Sequence, residues 1–367
     1  MTLDSLAGLS PAQSPLFMAM NDPVLHTFIS FLAGKKAQQE RSPGTPLTID
    51  ISRDSVARLR ESFKQSILDG ELRLHAMAHI LSTRFLGKEC ELHSNAIGLL
   101  PGAERRPFLI RERITRDILF SQTDLDLGNQ MLSHFRYSSD GRWVPLELSA
   151  NFVEYLPPAR PATGVNRITS RVKAEEELWN KVADELFGLD ELVQRDKHLR
   201  QYSKYIKDIF GLKIVCEDDE ACLAVHGRLR ALRARDFDLS GIAPDSAGAS
   251  PAPGDEAPLL EFVETKDYLT CAPSAQKRTG WKALKSVVRW QSQLLEIQVQ
   301  PVANYYMELD HMAGPSHQSF KITRDAFREE VAGRIPLYGF YRNLLKHLFV
   351  GNGGSFSSES ISVVLTD

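Results

Sequence analysis

Leu294-Leu295-Glu296-Ile297-Gln298-Val299-Gln300 alternates apolar and polar side chains. Period-two alternation is the signature of a strand. Leu295, Ile297 and Val299 fall on one face, and Glu296, Gln298 and Gln300 on the other. A carboxylate between two amides on a strand of this apolar character calls for a cation to hold or a proton to move. Upstream, Asp208 opens a second apolar run, Ile209-Phe210-Gly211-Leu212-Lys213-Ile214-Val215. Two acids on strand elements, with Arg and Lys at helical spacing before them, point to metal-assisted phosphoryl chemistry.

Working upstream, residues 170–187 read as a helix. In it Lys173, Glu177 and Lys181 stand at i, i+4 and i+8 on one face, with Arg171 at its start. Such a stripe fits either a solvated, salt-bridged face or a cationic ledge for a triphosphate. Between the two acidic strands, a helix over 221–234 and a strand over 260–263 lead to Lys266-Asp267-Tyr268. A basic loop follows: Lys277-Arg278-Thr279-Gly280-Trp281-Lys282-Ala283-Leu284-Lys285. From Lys277 to Arg289 there is no acidic residue. An aromatic beside glycine, flanked by cations, suits stacking on a base while its phosphates are held, and equally a solvated loop with Trp281 packed inward.

The rest of the chain frames these segments. Its 367 residues suffice for two domains. The net charge of −3 offers no global basic field, so contact with nucleic acid requires a local patch. Cys90, Cys216, Cys222 and Cys271 are scattered without a CxxC pair. This argues against a zinc knuckle or disulfide scaffold and fits a reducing, cytoplasmic setting. No apolar run is long enough for a bilayer span, and no Sec-type signal is evident, so no membrane partner is expected. Residues 24–32 and 53–85 read as helical. In the second, His75 and His79 lie four apart without the Glu of an HExxH helix, and are expected as half-exposed helix residues rather than metal ligands. Residues 135–148 read as a hairpin turning at Asp140-Gly141.

The proline-rich stretch from Leu156 to Gly164 reads as a connector. The expected organisation is an N-terminal mixed region of helix and hairpin over 1–155 and a linker over 156–168. A second domain over 169–348 would carry a mobile insertion at 236–258, followed by a flexible tail over 349–367 whose Ile361-Ser362-Val363-Val364-Leu365 can add a short strand.

Taken together, the segments from about 169 to 321 resemble the synthetase domain of the RelA/SpoT family, the enzymes that make the alarmone (p)ppGpp. Ser170-Arg171-Val172-Lys173 with Lys181 is similar to the family's ATP-binding helix, and Lys207-Asp208-Ile209-Phe210-Gly211-Leu212-Lys213 to its metal-binding strand. Lys266-Asp267-Tyr268-Leu269 resembles the start of the acceptor segment. Gly280-Trp281-Lys282-Ala283-Leu284-Lys285 stands where the family has Gly-Tyr-x-Ser-Leu-His. Glu296-Ile297-Gln298 is similar to its Glu-Ile-Gln strand, and His311 or His317 with Phe320-Lys321 to its closing signature.

The resemblance implies an α+β fold, a mixed sheet of about five strands flanked by helices, nucleotidyltransferase-like. It implies a pyrophosphokinase in which Asp208 and Glu296 hold Mg²⁺. Glu296 also helps deprotonate the acceptor 3′-hydroxyl. Arg171, Lys173, Lys181 and Lys213 take ATP, and Lys266, Trp281, Lys282, Lys285 and His311 take a guanosine-type acceptor. The departures are Lys213 for Arg, Glu177 for Ser, Trp281 for Tyr, and Ala283 and Lys285 for Ser and His. They gather on the acceptor side and keep two alternatives open: pyrophosphorylation of the tRNA 3′ end, and a binding module without turnover. The absence of a His-Asp dipeptide gives no expectation of alarmone hydrolysis. The N-terminal region is expected to meet a regulatory partner or a second copy of the chain.

Overall fold

The computed structural model describes residues 22–42, 44–100, 106–139, 141–172, 180, 182–184, 209–237, 257–272, 280–291, 293–312, 328–350 and 361–366. In chain order the elements begin with α1 (Pro23–Arg41), β1 (Leu47–Ser52), α2 (Arg53–Phe85), β2 (Glu91–Leu99) and β3 (Pro107–Ile114). Next come α3 (Arg116–Ser121), α4 (Asp124–Ser133), β4 (Tyr137–Ser139), β5 (Arg142–Val144), β6 (Glu147–Leu156) and β7 (Val165–Val172). The order closes with β8 (Phe210–Cys216), α5 (Asp219–Ala231), β9 (Glu261–Asp267), β10 (Leu284–Trp290), β11 (Gln293–Pro301), α6 (Val302–Met312), α7 (Pro336–Val350) and β12 (Ile361–Thr366). The backbone divides into two compact units, one drawn from 1–67, 173–207 and 321–367, the other from 68–172 and 208–320.

In the first unit, α1 starts because Asp22 caps it. The carboxylate accepts from the amides of Val24 and Leu25 at 2.9 and 3.0 Å, and Pro23 occupies the first turn, where no amide is needed. The hydroxyls of Ser62 and Ser66 donate to the same carboxylate at 3.0 Å, tying α1 to α2. Strand β12 pairs in parallel with β1, Leu47 opposite Ile361 and Ser52 opposite Thr366. The short strand read at Ile361–Leu365 at the end of the tail therefore forms. Ile361 is buried against β1, and an alternating segment with an open strand edge beside it pairs.

The second unit is built on one eight-stranded mixed sheet, in the order β3-β2-β6-β7-β8-β11-β10-β9. Strands β8 and β11 run parallel and every other neighbouring pair is antiparallel. The strands read over 209–215, 260–263 and 294–300 are present as β8, β9 and β11 of this mixed sheet, and β7 and three strands from the N-terminal region extend it beyond the roughly five strands expected. The proline-rich stretch is thus a connection between the antiparallel neighbours β6 and β7, and the linker expected at 156–168 is corrected to a loop within one sheet. The prolines break β-pairing locally without separating what lies on either side.

Residues 170–172, expected to begin a helix, lie in strand instead. They close β7 and do not open a helix. Val165, Ile168, Thr169 and Val172 are β-branched, and Ile168, Thr169 and Ser170 are buried between β6 and β8, where such side chains pack well. Helix appears later, at 180 and 182–184. The hairpin forms as read, with Gly141 at φ 73° in its turn. The insertion expected over 236–258 lies largely outside the described residues. Its ends meet: the Ala234 amide donates to the Ala257 carbonyl at 3.1 Å, and the Leu259 amide to the Leu232 carbonyl at 2.9 Å.

Alternation along each strand gives the sheet two chemically different faces. Phe210, Leu212 and Ile214 of β8 and Leu295, Ile297 and Val299 of β11 are at most 1% exposed and point to one side. That side meets α2, where Gly70 lies so close to Phe210 that a Cβ would stand 2.1 Å from the ring. It also meets α5, whose His226 hydrogen-bonds Ser286 of β10 at 3.1 Å. Helix α6 covers part of the opposite, polar face. No described helix is long and apolar enough to cross a membrane.

Candidate active site

Strand register assembles the polar face. Thr169 of β7 stands opposite Lys213 of β8, Lys213 beside Gln298 of β11, Gln298 opposite Lys285 of β10, and Lys285 opposite Lys266 of β9. Cross-strand partners share a face, so three lysines line up in one row across four strands. One pleat along, the next row is Arg171, Gly211, Glu296, Val287 and Glu264. Glu296 is therefore inset in a lysine-bearing surface and is only 5% exposed.

Its carboxylate is held from two sides. Lys285 Nζ lies 2.5 Å from Oε2, diagonally across the β10–β11 pair. Gln298 Nε2 donates to Oε1 at 2.5 Å from two positions along the same strand. An ionised carboxylate has about four acceptor positions, so these two partners leave capacity for a further donor or cation.

A second carboxylate organises the other side of the row. Glu308, on α6, accepts from Lys213 Nζ at 2.6 Å, from Gln300 Nε2 at 2.9 Å and from the Trp281 indole N–H at 2.7 Å. Burial alone would raise the Glu308 pKa. The charge of Lys213 and the three hydrogen bonds outweigh it and hold this carboxyl below the usual glutamate range. Trp281 also packs its ring against Tyr268, centroids 5.6 Å apart.

Other contacts fix α6 to the sheet. Asn304 donates to the Lys282 carbonyl. Tyr305 donates to Glu154 of β6 at 3.2 Å, and Arg167 of β7 reaches Glu154 at 2.6 Å and the Tyr306 hydroxyl at 3.0 Å. The Arg167 guanidinium lies over both rings, at 5.0 and 5.5 Å.

The residues singled out in the sequence divide accordingly. Lys213, Lys285, Glu296 and Trp281 converge on this face, and Arg171 occupies it one row on. Lys266 extends the row and pairs with Glu264 of its own strand at 3.2 Å. Lys282 turns elsewhere, to Asp219 at the start of α5, at 2.9 Å. His311 lies in α6. Asp208, Lys173 and Lys181 lie outside the described residues. Sequence reasoning missed Glu308, although Asn304 and Glu308, four apart after the strand end at Pro301, mark one helix face carrying two polar groups.

No family model matches the chain, and no curated protein matches it. Among solved structures it is similar to the small alarmone synthetase 2 from Bacillus subtilis, at 17% identity over 51% of this chain and 80% of that one, with a TM-score of 0.25. It is similar to the small alarmone synthetase 1 from Bacillus subtilis bound to its product pppGpp, at 16% identity over 47% and 80%, TM-score 0.22. A GTP pyrophosphokinase family protein from Streptococcus pneumoniae gives 15% identity over 52% and 74%, TM-score 0.27.

Proposed function

We propose that the chain is a pyrophosphokinase that moves the β,γ-pyrophosphoryl group of ATP to the 3′-hydroxyl of a guanosine-type nucleotide. The observation that carries this reading is the setting of Glu296, a buried carboxylate beside Lys285 in a sheet face where Lys213, Lys285 and Lys266 stand in register. Transfer of a phosphoryl group needs cationic surroundings for the charge on its oxygens and a base for the attacking hydroxyl, and this face holds both. The order of the sequence segments, from Ser170-Arg171-Val172-Lys173 to Phe320-Lys321, supports it independently.

In the proposed step the acceptor oxygen bonds to the β-phosphorus, and the bond from that phosphorus to the α,β-bridging oxygen breaks. AMP leaves with that oxygen, and Glu296 takes the hydroxyl proton. Lys285 orients the Glu296 carboxylate. Lys213, steered by Glu308, and Arg171 face the phosphate oxygens. Mg²⁺ suits the site, because Glu296 offers a hard oxygen donor with acceptor capacity left. Glu296 and Asp208 would hold the ion, which would neutralise phosphate charge.

The test is mass spectrometry of products from the purified chain with ATP, Mg²⁺ and a pool of GDP, GTP, adenine nucleotides and deacylated tRNA. The expected result is AMP together with an acceptor heavier by a pyrophosphoryl group. Labelling of tRNA alone would move the acceptor to the RNA 3′ end. No AMP with any acceptor would refute the enzyme.

A further inference from the structure

On the opposite face of the sheet from Glu296, three buried side chains meet that the proposed reaction does not use. Glu71 and His75 are one turn apart on α2, and Asp124 is the first residue of α4. They are 5%, 0% and 3% exposed, so the expectation of a half-exposed His75 is corrected. The middle of a 33-residue helix lies beneath other elements, and its surface position cannot be inferred from its own spacing. His75 Nε2 lies 3.1 Å from Asp124 Oδ1 and 3.6 Å from Glu71 Oε1, and the three candidate ligand atoms all fall within 4.8 Å of one another.

Two features distinguish this cluster from an ordinary buried ion pair. First, neither ring nitrogen of His75 and neither oxygen of Asp124 makes a directed hydrogen bond, although the groups are within reach. Buried polar atoms that lie within 4.8 Å of one another thus keep hydrogen-bonding capacity that a shared ion would take up. Ligands held about 2.0–2.1 Å from a zinc ion stand about 3.3 Å apart at the tetrahedral angle, close to both distances from Nε2. Secondly, the charge does not balance. With both acids ionised, two carboxylates around one imidazole leave a net negative charge even when the ring is protonated, and in a dry interior a proton or a cation must offset it. A divalent cation with a neutral imidazole balances it.

Helix capping does not account for Asp124. Thr123 caps α4, its Oγ1 accepting from the Asp126 amide at 3.0 Å. The Asp124 amide donates to Glu71 Oε1 at 2.5 Å, which fixes the start of α4 against α2, while the Asp124 carboxylate faces His75.

We propose that Glu71, His75 and Asp124 bind one divalent first-row transition ion, Zn²⁺ or Mn²⁺, which clamps α2 to α4 beneath the sheet. One nitrogen and two oxygens suit these ions better than soft ones. The site is independent of the proposed pyrophosphoryl transfer.

The test strips the full chain with a chelator, dialyses it against Zn²⁺ or Mn²⁺ alone, and counts the ion by inductively coupled plasma mass spectrometry. One ion per chain is expected, with a higher melting temperature than the stripped protein. Glu296→Gln should retain that ion, whereas His75→Gln and Asp124→Asn should lose it. Should those two variants fail to fold, Co²⁺ in the unaltered chain decides: ligand-field bands without a thiolate charge-transfer band are expected. Sub-stoichiometric ion with an unchanged melting temperature would mean that the triad holds only protons and would overturn the proposal. A thiolate band, or loss of the ion in Glu296→Gln, would place the ion elsewhere and overturn it equally.

Discussion

Replacing Glu308 tests the assembly of the lysine-bearing face directly. The carboxylate accepts from Lys213, Gln300 and Trp281, and so links β8, β11 and the segment before β10 to α6. A hydrogen bond to an ionised acceptor contributes about 1.5–3 kcal/mol. The three do not simply add. The Lys213 and Glu308 side chains are 26% and 22% exposed, so water can replace part of what is lost. Weighing these, Glu308→Ala should cost about 3 kcal/mol, and Glu308→Gln, which keeps an acceptor but no charge, about 1–2 kcal/mol. The assay is urea unfolding followed by far-UV circular dichroism, with Trp281→Phe as the second arm of a double-mutant cycle. Coupling of about 1 kcal/mol is expected between positions 281 and 308. A Glu308→Ala change below about 0.5 kcal/mol, within the range of ordinary surface substitutions, together with no coupling, would refute this account.

Three further outcomes follow from the same structure. Glu296→Gln keeps the shape of the buried side chain but removes its basicity, and AMP release should fall about 10²–10⁴-fold in the product assay. Because the Glu308 pKa is depressed in the folded state, its stabilisation is fully present above the ordinary glutamate value of 4.5 and is lost as pH falls through the lower folded value. The urea midpoint should therefore drop on acidification from pH 5 to pH 3, by less in Glu308→Gln. Gly70→Ala should destabilise by about 1–3 kcal/mol, because the new methyl would stand 2.1 Å from the Phe210 ring, and Phe210→Leu in the same chain should recover part of the loss in thermal melts.

What the sequence made legible follows the range of the forces involved. Strand β11 and helix α2 were readable because each carries its own periodicity over many residues. The end of β7 reads as helix in the sequence because the i, i+4, i+8 spacing of Lys173, Glu177 and Lys181 extends back over Ser170-Arg171-Val172, whose place between two strands only pairing reveals. The continuity of the eight-stranded sheet was hidden for the same reason. The β6–β7 pairing joins segments on either side of a proline-rich loop, and strand propensity does not name a partner. The role of Glu308 and the burial of His75 escape the sequence for opposite reasons. One is a helix carboxylate given its role by three distant donors, the other a helix imidazole whose burial is decided by what lies on top of it.

The chemical face of the sheet is held in place by the apolar one. Leu295, Ile297 and Val299 are at most 1% exposed, and their neighbours Leu212 and Ile214 on β8 and Val288 on β10 are sealed as completely. Side chains alternate along a strand, so a slip of one residue in β11 would turn these three toward α6 and drive Glu296, Gln298 and Gln300 into the core. Burying that carboxylate away from Lys285 would cost far more than any gain in pairing. The register that places Lys213, Gln298 and Lys285 side by side is thus enforced from the other side of the sheet, by residues with no chemistry of their own. An exchange at Lys285 on the polar face would therefore change what that surface can hold without changing the fold, because the alternation beneath it still dictates where each side chain stands.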